Sequence, residues 1–230
     1  MARRFDAVLF DAGGVLVLPD PGVLGPLLAY YGAVTDPEAH ARAHYAGMAA
    51  KSAAGAGESQ WNDYDSAYLD FVGVTPHNRT TALEVLRRVK AVPHLWRHPI
   101  AGAMSTLRML DELGVPTGVV SNASGQIEET LFLSGICQVG DGEHAPVRCI
   151  VDSHVVGIEK PDPRIFDHAL EHFVGIERQR IAYVGDSLVM DVRGASEAGL
   201  TPLLMDPYDD AARHDVERLR SLSDLLQMFR

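Results

Sequence analysis

Chemistry-bearing side chains in this sequence gather where apolar runs end. Asp11 closes the run 5–10, Phe-Asp-Ala-Val-Leu-Phe, and Gly13 and Gly14 follow it. A carboxylate at a strand end, beside exposed backbone N–H groups, can act as a nucleophile and as a metal ligand. Ser121 and Asn122 close a second run. A hydroxyl and the next backbone N–H can both donate to a phosphate oxygen. Lys160 precedes Pro161-Asp162-Pro163, and its ammonium can neutralise a phosphate and orient a nucleophile. Asp186 and Asp191 flank a short loop after the run 181–184. With Asp11 on the same rim, these two carboxylates form the hard oxygen site that Mg²⁺ prefers. Each residue taken alone also fits a plainer role: Asp11 and Ser121 a turn, Lys160 a solvated position, Asp191 a helix cap. The chemistry therefore depends on whether the fold brings them together.

The elements that must do so are legible in the pattern. Residues 5–10 read as a short buried strand. Residues 21–90 read as helical and polar, and Tyr30, Tyr31, His40, His44, Tyr45, Trp61, Tyr64 and Tyr68 concentrate there, around a loop at Ala54-Gly55-Ala56-Gly57. Pro93 and Pro99 close this segment. Beyond it helices are predicted over 103–113, 126–133, 163–173, 191–198 and 211–228, and strands over 116–120, 148–151, 181–184 and 201–205. Strands alternating with helices predict an α/β fold, a Rossmann-like doubly wound parallel sheet covered on both faces. Ligands bind such sheets beyond the C-terminal strand ends, where the strand order reverses. Asp11, Ser121-Asn122 and Gly185-Asp186 are therefore expected on one rim. The glycine-rich stretch 135–144 reads as irregular and has no assigned role.

Bulk properties narrow the partners. The 230 residues suit one α/β domain with a smaller inserted one, and an apolar share of 47% supports a packed core. A formal net charge of -11 argues against nucleic acid. Cys137 and Cys149 fit no zinc motif and read as thiols in a reducing cytoplasm, with a disulfide as the alternative. The start Met1-Ala2-Arg3-Arg4 resembles an export signal only until Asp6 and Asp11 interrupt the apolar stretch. No apolar run reaches the roughly 20 residues that span a bilayer. A cytoplasmic enzyme with no membrane partner is expected, and the oligomeric state is left open.

In order, Asp11-Ala12-Gly13-Gly14-Val15-Leu16, Ser121-Asn122, Lys160-Pro161-Asp162-Pro163, and Gly185-Asp186-Ser187 with Asp191 and Gly194-Ala195 resemble the four motifs of the haloacid dehalogenase superfamily. The resemblance covers the whole chain, and its phosphatase-like branch is the nearest in pattern. It implies a core domain of 1–18 and 95–230 and an inserted α-helical cap domain of 19–94. It implies that Asp11 attacks phosphorus to give an aspartyl-phosphate. Ser121 would bind the transferring group with Asn122, Gly13 and Lys160, and Lys160 would balance charge. Asp11, the Gly13 carbonyl, Asp186 and Asp191 would hold Mg²⁺. The implied substrate is a phosphate monoester of a small metabolite.

One departure stands out. Phosphatases of this superfamily usually carry a second aspartate two residues after the nucleophile, where this chain has Gly13. The general acid for the leaving oxygen is missing, a group worth typically 10²–10⁴-fold. A cap histidine can replace it, and His40, His44 and His77 are the candidates by location. Gly13→Asp is expected to raise turnover of substrates with poor leaving groups. The alternatives are a nearly inactive phosphoester-binding protein, a haloacid dehalogenase, against which the Asp186/Asp191 pair argues, and phosphonoacetaldehyde-hydrolase-like C–P cleavage, in which Lys51 would form a Schiff base.

Overall fold

The structure, a computed structural model, describes residues 3–229. Met1 and Ala2 of the start weighed as an export signal, and Arg230 at the end of the expected core, lie outside the described residues. From its first strand β1 (Ala7–Phe10) the chain passes through β2 (Val17–Pro19) into four helices, α1 (Pro21–Ala29), α2 (Pro37–Ala53), α3 (Asn62–Phe71) and α4 (Arg79–Lys90). It returns through β3 (Trp96–Pro99), then α5 (Ala103–Glu112), β4 (Thr117–Ser121), α6 (Ile127–Leu133), β5 (Cys137–Val139), β6 (Ala145–Val147) and β7 (Ile150–Asp152). The remainder is α7 (Ser153–Val156), α8 (Arg164–Leu170), β8 (Ile181–Gly185), a π-helical turn (Leu188–Val192) running into α9 (Arg193–Glu197), β9 (Thr201–Met205), β10 (Arg218–Leu219) and α10 (Leu222–Leu226).

Six strands form one parallel sheet in the order β10-β9-β8-β1-β4-β7. The chain starts in the middle at β1, builds outward through β4 and β7, then crosses back to lay β8, β9 and β10 on the other side. The order reverses at β1, so the C-terminal end of that strand opens a crevice. Its four side chains are all inaccessible, as in a parallel strand covered on both faces. Alternate residues serve opposite faces. Val8 and Phe10 pack with Val119, Val184 and Leu203 against α5 and α10. Ala7 and Leu9 pack with Val120, Ile181 and Tyr183 against Ile165 and Phe166 of α8.

The helical segment leaves and re-enters through an antiparallel ribbon, with Val17 paired to Pro99 and Leu18 to His98. Its helices enclose their own cluster, including Leu24, Leu28, Met48, Tyr64, Tyr68 and Leu86. Asp36 caps α2 by accepting from the N–H groups of Glu38 and Ala39. Helix α2 approaches α3 at Gly47, where an added Cβ would stand 2.6 Å from the Tyr64 ring.

Three expectations are corrected. Residues 211–228 are not one helix. Asp206 accepts from the backbone N–H groups of Asp210 and Ala211 and holds a turn there. Residues Arg218–Leu219 then add a strand to β9, and α10 starts only at the Ser221/Asp224 capping box. The stretch 135–144 contains part of a two-stranded parallel unit, β5 with β6. The predicted helix 191–198 begins earlier and wider, as the π-helical turn from Leu188.

Candidate active site

Asp11, Ser121, Gly185 and Asp186 emerge from the ends of β1, β4 and β8, which are neighbours in the sheet. Lys160 arrives from the loop before α8. Asp191 arrives from the π-helical turn, whose position is fixed by Gly185: a Cβ there would lie 2.3 Å from Asp191 Cβ. Gly14, at φ 71°, leaves room for Asp186, since a Cβ there would fall 1.9 Å from Asp186 Oδ2. All seven residues singled out in the sequence, Asp11, Gly13, Ser121, Asn122, Lys160, Asp186 and Asp191, line one cavity of about 680 Å³.

The arrangement is centred on Lys160, 1% exposed. Its Nζ lies 2.9 Å from Asp11 Oδ1 and donates to Asp191 Oδ1 at 2.7 Å and to the Tyr183 hydroxyl at 2.8 Å. Three donors thus meet three protein acceptors, and Lys160 holds the carboxylates in place. Asp11 Oδ1 also accepts from Ala12 N–H at 2.7 Å. Asp191 Oδ2 accepts from the N–H groups of Asp186 and Ser187. Asp186 Oδ2 meets His44 Nε2 at 2.8 Å. The side chain of Asn122 donates to the Lys160 carbonyl and to Glu58 Oε2, both at 3.0 Å, and accepts from Lys160 N–H at 2.8 Å. It clamps the lysine loop to the end of β4, and it is the backbone of this turn that remains for a ligand.

Three buried carboxylates, Asp11, Asp186 and Asp191, each place one oxygen within 4.8 Å of the others. Burial pushes the Asp11 carboxyl up to about 7; Lys160 opposes the rise, while Asp191 and Asp186 add to it. Burial likewise raises Asp186, with the His44 hydrogen bond working against it. Burial disfavours the Lys160 ammonium, but Asp11 and Asp191 outweigh it and raise its pKa. Such a cluster is short of positive charge. An all-oxygen donor set with surplus negative charge fits a hard divalent cation such as Mg²⁺.

Three features escaped the sequence. Tyr183 sits inside an apolar strand and donates to the Val120 carbonyl at 3.0 Å while receiving Lys160. A tyrosine in the middle of an otherwise aliphatic strand was the available signal. Trp96 occupies the space beside Gly13, where an added Cβ would meet its ring at 3.3 Å. Glu58 reaches the site from the loop after α2. Among the three histidines proposed as proton donors, His44 alone lines the cavity. Both of its ring nitrogens are engaged, Nδ1 with the Tyr64 hydroxyl at 3.0 Å and Nε2 with Asp186 at 2.8 Å. His40 is held by the Tyr68 hydroxyl and the Val34 carbonyl away from the cavity lining, and His77 lies on an exposed turn beside α4.

A model of the family described as haloacid dehalogenase-like hydrolase matches residues 5–199. The chain is 36% identical over 140 residues to the mouse (Mus musculus) haloacid dehalogenase-like hydrolase domain-containing protein 3, covering 58% of this chain and 52% of that one. It is 31% identical over 141 residues to the glyceraldehyde 3-phosphate phosphatase of Methanopyrus kandleri, covering 56% and 57%. The chain therefore spans about half the length of the relatives it matches in sequence. The crystal structure of a HAD phosphatase from Thermococcus onnurineus has a TM-score of 0.58 at 23% identity and covers 97% of both chains, a likeness of fold.

Proposed function

The chain belongs to the haloacid dehalogenase-like hydrolase family, and from that membership we propose that it is a Mg²⁺-dependent phosphatase of a small phosphorylated metabolite. The observation that carries the proposal is the convergence of Asp11, Asp186 and Asp191 around Lys160. A nucleophile held beside a cation site and a fixed ammonium meets the needs of phosphoryl transfer, which are positioning and charge neutralisation. The phosphatase named in Methanopyrus kandleri supports the same class.

In this reading a carboxylate oxygen of Asp11 bonds to phosphorus and the bond to the leaving oxygen breaks, giving an aspartyl-phosphate. Water then cleaves that intermediate, releasing phosphate and restoring Asp11. Lys160 orients Asp11. The Ser121 hydroxyl and the backbone around Asn122 and Gly13 bind the transferring oxygens. Asp11, Asp186, Asp191 and the Gly13 carbonyl would hold Mg²⁺, which supplies charge neutralisation at the phosphoryl oxygens. His44, the histidine of the helical segment that lines the cavity, gives the leaving oxygen the proton of Nε2, for which its hydrogen bond to Asp186 Oδ2 must open. Residues 1–18 and 95–230 act as the core domain, and 19–94 as the cap that carries specificity. The two free thiols, Cys137 and Cys149, both buried, support a reducing cytoplasmic setting. Among the described residues no helix is long and apolar enough to cross a membrane.

The test is hydrolysis of p-nitrophenyl phosphate with Mg²⁺ by the wild-type chain beside Asp11→Asn. Phosphate release that Asp11→Asn abolishes is the expected result. Equal rates in the two proteins would remove Asp11 from the chemistry and the proposal with it.

A further inference from the structure

The helical segment brings three cations to the cavity wall, Lys51, Arg87 and Lys90, and two carboxylates, Glu58 and Asp65. Their pairing is uneven. Asp65 is inaccessible and takes both Lys90 and Arg87, the latter at 3.6 Å. Glu58 Oε2 accepts from Asn122. Lys51 is left over. It is 1% exposed, yet among the described residues no carboxylate oxygen lies within 4.0 Å of its Nζ. Its hydrogen bond is a long one, 3.4 Å, to the Glu58 carbonyl. The Trp61 ring, with its centroid 3.5 Å from Nζ, provides a cation–π contact. Burial pulls the Lys51 pKa down, against the pull of Glu58 and of the aspartates of the site. A buried ammonium without a counter-ion is costly, and an anion entering the cavity would remove that cost.

We infer that Lys51 is the receptor for a carboxylate of the substrate, which makes the substrate a small phosphorylated carboxylic acid with its phosphate at Asp11 and its acid group at Lys51. This inference rests on the phosphatase reading of the same cavity. A single ammonium, offering donors in one place, suits a monoanion. A second phosphate would bring more negative charge close to Glu58 and Asp65, and it favours forked or multiple donors. Trp61 beneath the ammonium shields the pair from water, which strengthens a charge-assisted hydrogen bond. Lys51 is thus a specificity-determining residue, placed by α2 on the same cavity that Asp11 enters from β1.

Three probes that differ only at one carbon provide the test: 3-phosphoglycerate, glycerol 3-phosphate and glyceraldehyde 3-phosphate, which end in a carboxylate, an alcohol and an aldehyde. With Mg²⁺ the wild-type chain is expected to prefer the acid over the alcohol by at least about tenfold in kcat/KM, carried by KM. Lys51→Met is expected to bring that ratio to near one, and Lys51→Arg to retain part of it. An acid-to-alcohol ratio near one in the wild-type chain, or an unchanged ratio in Lys51→Met, overturns the inference. So does borohydride trapping of the aldehyde on Lys51, which would make the amine a carbonyl nucleophile. Turnover of p-nitrophenyl phosphate in the same preparation reports separately on the phosphatase reading. If that turnover is present, a flat ratio removes Lys51 alone. If it is absent, calorimetric titration of the Mg²⁺-loaded chain with the acid and the alcohol decides the Lys51 assignment by the same ratio.

Discussion

At the scale of single residues, the question is what stands in for the aspartate that Gly13 replaces. Trp96 fills the neighbouring space, and its ring would touch a new side chain at 3.3 Å. Such a contact is tight enough that the indole must yield. The expectation from sequence that Gly13→Asp raises turnover of poor leaving groups therefore changes. The single substitution leaves that turnover flat, and the gain comes only with Gly13→Asp in a Trp96→Leu background. His44 is the complementary test, because a general acid matters most where the leaving oxygen is basic. His44→Asn is expected to cost alkyl phosphates ten- to a hundredfold or more while costing p-nitrophenyl phosphate far less. Rates for the two ester classes measured side by side check both expectations. A uniform loss across them would reduce His44 to a support for Asp186.

At the scale of elements, α2 carries most of the ties between the helical segment and the sheet. Arg42 pairs with Asp210 through two bonds of 2.7 Å, the Tyr45 hydroxyl donates to the Gly14 carbonyl at 2.8 Å, and Ser52 Oγ accepts from Leu188 N–H. His44 and Lys51 ride on the same helix, so its seating would set both of the roles proposed for them. That seating depends on the close approach at Gly47. Gly47→Ala would drive a methyl into the Tyr64 ring, and strain of this kind costs about 1–3 kcal/mol. A lower urea midpoint with an unchanged slope is expected, whereas an unchanged midpoint would mean that α2 and α3 slide apart freely. The same scale separates what was legible in the chain from what was not. The sheet strands near the site follow from apolar runs ending in polar residues, and the expected strand 201–205 coincides with β9. The site residues were legible because Asp11, Ser121 and Asp186 each follow such a run. Structure departs from pattern where a long-range partner decides local conformation. Asp206 turns a helical pattern at 211–228 aside, and β9 recruits Arg218–Leu219 as a strand. Glu58 and Trp96 carry no local signal for a related reason, since each acts on a residue distant in sequence, and Tyr183 offers only its place in an aliphatic strand.

At the scale of the whole molecule, the buried carboxylate cluster is a source of instability, which the proposed cation would relieve. The chain carries a net charge of -11, and three of its carboxylates are buried together with one ammonium among them. Burial raises Asp11 to about 7 and raises Asp186 as well, against an unfolded aspartate near 3.9. The folded, metal-free chain therefore binds more protons than the unfolded one between those values. Where the native state holds the extra protons, stability falls as pH rises. The contribution of these groups is complete below about 4 and is lost as pH rises through the folded value of about 7. Asp11→Asn removes one charge, and its amide oxygen can still accept from Lys160 and Ala12. In EDTA this variant is expected to melt higher than the wild-type chain at pH 8, by a margin that shrinks toward pH 5. Saturating Mg²⁺ should reverse the order, because only the wild type has the full set of ligands, and binding to the native state raises its Tm by mass action. Thermal melts of both proteins across that pH range, with and without the metal, decide the matter. If Asp11→Asn melts lower at pH 8 in EDTA, Lys160 alone balances the cluster, and the electrostatic argument for a cation at this site fails.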